Sequence, residues 1–143
     1  MSTIIASTMK RFEEIPHTAD WSFRAFGKDL RELFANAAYA LFELEGARAR
    51  PTAHETARDI HITALDYEAL LVNWLTELLW LQEVHREMYP RCDISTLTPT
   101  ELRARAFGVP FQHLDKIIKA VTYHNLVIQQ TTEGWQAVIV VDV

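Results

Sequence analysis

The chain has 143 residues, the length of one domain, and 49% of them are hydrophobic and 23% charged, so it can bury a core without staples. A net charge of −5, with the basic residues scattered, disfavours autonomous nucleic-acid binding, which draws its affinity from a basic face. The one cysteine, Cys92, excludes an internal disulfide framework and a cysteine-rich zinc site, and points to a reducing cytoplasm. Apolar runs such as Leu78 to Leu81 are too short to span a bilayer, so no membrane association is expected.

In chain order, residues 1–9 lack a basic n-region and are read as a disordered extension rather than a signal peptide. Residues 10–143 are read as a single domain. Phe12 to Ile15 is a short strand ended by Pro16. Trp21 to Phe26 alternates apolar and polar side chains, the mark of a strand. Asp29 with Glu32 forms a capping box, followed by a helical stripe from Leu30 to Leu41 that stops near Gly46. Arg48 to Ala53 is expected to be a loop. Arg58 to Ala64 alternates again.

Asp66 caps a second helix of about 20 residues, reaching about Glu87. Its apolar stripe, from Leu70 to Val84, is wider than one buried face needs. Either the helix is sandwiched or it offers a ridge to a partner. Strands follow over Cys92 to Leu97 and Leu102 to Phe107, joined by a turn at Thr98 to Thr100 and ended by Gly108-Val109-Pro110. Strands over Lys119 to Ile128 and Trp135 to Val141 close the chain. The last is apolar on both faces, which predicts a central position. The expected class is α+β, two helices packed on a mostly antiparallel sheet.

Catalytic signatures are scarce. The four glycines are dispersed, so no phosphate-cradling loop is present, and no histidine pair has metal-ligand spacing. Cys92 lies in a strand pattern and reads as an inert, buried thiol. What remains are carboxylates. Asp142 precedes the α-carboxylate expected on Val143, and two adjacent negative groups call for a positive neighbour, either a basic side chain or a cation. Oxygen-only donors favour Ca²⁺, Mg²⁺ or Mn²⁺. By spacing alone Asp20 reads as a turn-former and Asp142 as an exposed terminal residue.

Four stretches together resemble the archease family: PHTAD at Pro16 to Asp20, RAFGKDLRELFANAAYALFEL at Arg24 to Leu44, DYEALLVNWLTELLWL at Asp66 to Leu81, and IIKAVTYHNLVI at Ile117 to Ile128. The terminal aspartate-aliphatic pair extends the resemblance, which runs from about Phe12 to Val143. Asn73 and Thr76 depart from the pattern of many relatives and leave those two positions without an assigned role.

The resemblance implies a small cytoplasmic accessory protein, not itself an enzyme. Its partner would be an RtcB-type RNA ligase of tRNA splicing and RNA repair. The accessory protein would promote guanylylation of the ligase and hence its multiple turnover. The resemblance also implies a divalent metal site built from Asp20, Asp142 and Val143, with calcium among its ions. Lys119 matches a lysine suspected of function, and His17 and His124 match motif positions read as supporting the site or the core. Two other readings remain: a stand-alone metal-dependent hydrolase, for which His17 and His124 are the candidate bases, and a non-catalytic protein-binding module using the second helix.

Overall fold

A computed structural model describes residues 10–15, 21–51 and 54–143. The expectation of a disordered extension at residues 1–9 falls outside them. The described residues form nine strands and two helices. The strands are β1 (Phe12–Ile15), β2 (Trp21–Gly27), β3 (Arg48–Ala49), β4 (Thr56–Thr63), β5 (Glu87–Leu97), β6 (Glu101–His113), β7 (Ala120–Thr122), β8 (Ile128–Thr131) and β9 (Gly134–Asp142). The helices are α1 (Leu30–Leu44) and α2 (Tyr67–His85).

The expected α+β class holds, with one refinement: the strands make two antiparallel sheets. In the first, β9 lies between β2 on one side and β7 and β8 on the other, and β1 extends the β2 edge. In the second, β6 is the hub for β3, β4 and β5. Helix α1 packs against β2 and β5, so it touches both sheets. Helix α2 packs against α1 and against β4, β5, β6 and β7.

Local chemistry starts and stops these elements. Asp29 accepts the Glu32 N–H at 2.8 Å while Glu32 reaches back to the Lys28 N–H at 2.9 Å, so the expected box forms with its return bond one residue early. Asp66 caps α2 by accepting the Ala69 N–H at 2.8 Å. Arg86 ends α2 in the left-handed region, at φ 58°, and β5 begins at the next residue. The core runs through both helices, with Leu33, Phe34, Leu70, Leu71, Trp74, Leu75 and Leu78 fully buried. The Trp74 indole donates to the Phe34 carbonyl at 3.0 Å.

The wide stripe of α2 divides. Trp74 is core, whereas Trp80 and Val84 remain 55% and 51% exposed. β9 holds the central place expected of it, but only one of its faces is buried, at Ala137, Ile139 and Val141.

Four stretches differ from the sequence reading. Gly108 and Pro110 lie inside β6. A side chain at Gly108 would sit 2.4 Å from the Glu87 carboxylate, so this glycine permits close packing rather than a turn. Pro90 lies inside β5, where the register with β6 shifts between Met88 and Arg91 and a missing N–H is tolerated. The stretch 119–128 is two short strands, split by a turn in which Asn125 takes φ 52°. β3 occupies part of the expected loop at Arg48 to Ala53, pairing Ala49 with Phe111.

Candidate functional site

The carboxyl end of β9 is where the two sequence-remote stretches meet. Trp21 opens β2 opposite Val141, and Ala120 opens β7 opposite Asp142. The Lys119 N–H donates to the Asp142 carbonyl at 2.7 Å, so this lysine is joined to the strand end through its backbone. The side chains of Lys119 and Asp142 are exposed, and Val143 is half-exposed. Asp20 and His17 lie outside the described residues.

Trp21 forms the floor of this corner. It is 7% exposed, its indole donates to Glu14 at 2.7 Å, and the Lys116 ammonium sits 4.8 Å from the ring centroid, a cation–π contact. Two lysines, Lys116 and Lys119, therefore flank the strand end that carries Asp142. His124 is placed differently. It lies past the other end of β7, in the exposed turn, where its ring nitrogen is 3.2 Å from the Asn125 amide. The structure thus joins Lys119 to Asp142 and sets His124 apart from both.

No group of three His, Cys, Asp or Glu among the described residues is placed to hold a metal ion. Their chemistry still fits a hard cation in part. Asp142 supplies an exposed carboxylate, and a chain ending at Val143 supplies a second one residue later. Cys92 offers no competing chemistry: burial first, then neighbouring Asp93, pushes its thiol up to about 11.

Two residues that sequence reasoning missed shape the corner. Lys116 reaches over Trp21 from a segment without regular structure, and Glu45 anchors that segment from the end of α1. Neither has a sequence signal, because each reads as an ordinary surface charge.

From Lys119 a groove of about 580 Å³ runs along α2, lined by Leu79, Trp80, Glu83, Arg86, Phe111 and Ile117 among others. A second hollow, of about 530 Å³, lies on the charged face of the second sheet. Its charges are matched there, as in the Arg105–Asp59 pair at 2.9 Å and the His61–Glu101 pair at 2.7 Å. Among the described residues no helix is long and apolar enough to cross a membrane.

Comparison with known proteins agrees with this architecture along nearly the whole chain. The Archease protein family (MTH1598/TM1083) matches residues 12–143. The archease of Methanosarcina acetivorans is 39% identical over 94% of this chain and 97% of its own length, and that of Pyrococcus abyssi is 32% identical over 94% and 100%. The solution structure of Methanobacterium thermoautotrophicum protein 1598 superposes with a TM-score of 0.68 at 28% identity, covering 94% of this chain and all of that one. A crystal structure from Thermotoga maritima, described as an archease and possible chaperone, gives 0.67 at 20% identity over 90% and 94%. On the strength of the matched span and these relatives, the chain belongs to the archease family.

Proposed function

We propose that this protein is a cytoplasmic accessory factor of an RtcB-type RNA ligase, not itself an enzyme, which promotes guanylylation of the ligase and its repeated turnover. In this reading Asp20, Asp142 and the terminal carboxylate of Val143 hold a divalent cation: calcium, magnesium or manganese. The observation that carries it is the β2–β9 register. Trp21 stands opposite Val141, so the start of β2 and the end of β9, which carries Asp142, share one end of the ladder, and Asp20 is the residue before Trp21 in the sequence. Family membership supports a role in service of another protein.

A hard divalent cation, when bound, supplies charge neutralisation of the kind nucleotidyl transfer needs. The protein's own residues supply the rest. Asp142 presents its carboxylate from a central strand, Lys119 brings a flexible positive charge to the same corner, and Trp21 closes the floor against water.

The test is single-turnover labelling of the ligase with radioactive GTP. Wild-type protein is expected to accelerate labelling, and Asp20→Ala and Asp142→Ala are expected to lose that effect while keeping the far-UV spectrum. Adding one glycine after Val143 should be as damaging, because it displaces the terminal carboxylate. Acceleration that survives both aspartate changes would overturn the metal part of the reading. Phosphatase or nuclease turnover without ligase would favour the hydrolase instead.

A second reading has one observation of its own. Trp80, Val84 and Ile117 are exposed beside the groove, as a protein-binding module would require. Under it, Trp80→Ala abolishes association with the ligase and the aspartates are dispensable.

A further inference from the structure

We propose that Glu45 is a positioning residue of the candidate site: from the end of α1 it fixes the segment 115–119 and so sets Lys119 against Asp142. The functional half of this inference rests on the ligase reading above, whereas the structural half stands on geometry alone.

Glu45 is fully buried. Its backbone carbonyl accepts the N–H groups of Asp115 at 2.7 Å and Lys116 at 3.2 Å. Its side chain accepts the Ile118 N–H at 3.0 Å on one oxygen and the Gln82 amide at 2.7 Å on the other. The following amide, Lys119, goes to the Asp142 carbonyl at 2.7 Å. Between β6 and β7 the chain has no helix or strand of its own. Its course is set by these bonds rather than by a repeating ladder. Ile118 is drawn inward, to 3% exposure, and its neighbours Ile117 and Lys119 are turned outward.

The helix end is shaped to receive this segment. Gly46 adopts φ +66°, and a side chain there would lie 2.1 Å from an Asp115 carboxylate oxygen. The carboxylate itself is in an electrostatically poor place. A helix C-terminus repels negative charge, and both partners of the side chain are neutral donors. Burial accordingly raises its pKa. A leucine there would satisfy packing and avoid this cost, but it would leave the Ile118 N–H and the Gln82 amide without their acceptor. Glu45 thus supplies two acceptors where two donors converge, and one of those donors belongs to the segment that presents Lys119.

The experiment uses the full chain and three variants. In Glu45→Leu, amide hydrogen exchange at Ile118 and Lys119 should quicken about tenfold, the factor that one lost hydrogen bond implies, while α1 and the middle of β9 keep their protection. Glu45→Gln should behave as wild type, because its amide oxygen can serve Ile118 while Gln82 turns over to accept from its NH₂ group. Ligase stimulation should fall in Glu45→Leu as far as in Lys119→Ala, and the double variant should be no worse than Lys119→Ala alone. If Glu45→Leu does not fold, Glu45→Asp carries the same expectation, since it keeps the charge but is too short to reach both donors.

Unchanged exchange, exchange raised evenly through the sheet, failure of Glu45→Gln to rescue, or additive losses in the double variant would each overturn the proposal. If wild-type protein itself does not stimulate the ligase, the ligase reading falls, and the exchange data alone then decide the tether.

Discussion

Two buried glutamates have their pKa values shifted in opposite directions. Glu87, at the start of β5, is 5% exposed; Glu45, after α1, is fully buried. Burial pushes both carboxyls up. At Glu87 that push is outweighed by Arg58, which donates to both oxygens at 3.1 and 2.9 Å, and by the Tyr89 hydroxyl at 3.0 Å, so its pKa is lowered. At Glu45 the donors are a backbone amide and a side-chain amide, burial wins, and the pKa is raised. The charge of the partner, rather than the depth of burial, decides the sign. The Glu87 cluster therefore stabilises the second sheet, and Glu45 holds a segment in place at a cost.

The largest expected break in this comparison is Glu87→Gln. It removes the charge that compensates Arg58 and should cost about 3 kcal/mol, at the lower end for a broken buried pair because Arg58 partly reaches solvent. Urea unfolding at neutral pH measures it, and a loss under about 1 kcal/mol would show that Tyr89 and packing suffice. Next comes Gly46→Ala, which should cost about 1–2 kcal/mol, since it forces a left-handed backbone onto alanine and displaces Asp115.

Glu45→Gln sharpens the contrast through pH. The raised pKa of Glu45 means that its contribution is fully present below the unfolded value of 4.5 and is lost as pH rises through the folded value. Glu87 does the reverse: its contribution is present above 4.5 and lost as pH falls through its lowered value. Glu45→Gln should thus be neutral or stabilising at pH 7 and comparatively destabilising in acid, whereas Glu87→Gln should do most damage at pH 7. Denaturant midpoints of both variants across pH 3 to 8 check the crossing. The smallest effect belongs to Arg105→Ala. Its pair with Asp59 has the geometry of a salt bridge, but its side chains are 56% and 79% exposed, so the loss should stay within about 0.5 kcal/mol in the same assay.

Much of the fold was legible from periodicity and caps, because α1, β2 and β4 each present one buried face and Asp29 and Asp66 announce their helices. The central place of β9 was legible too, from its continuous apolar run. Gly108, Pro110 and Pro90 misled, because local turn chemistry was overruled by contacts that no local pattern records: Glu87 against Gly108, and a register shift around Pro90. Within the candidate site, Asp142 and Lys119 were named from the motif they share with archeases, and the structure adds the bond between them. Glu45 was invisible for a physical reason. Its partners come from α2 and from a segment more than 70 residues later, and a glutamate before a helix-stopping glycine looks like surface.

The position of β9, last among the described strands yet interior to its sheet, has a kinetic consequence. The β5–β6 hairpin closes over three residues, with Thr98 bonding across the turn to Glu101, so the second sheet can zip from a local start. The β2–β9 pair must instead wait for opposite ends of the chain to find each other. The corner bearing Asp142 is therefore completed late in folding and surrendered early under stress. A globule that has let go of β9 would still hide Trp74 and the leucines of both helices, yet it would already have lost its working end.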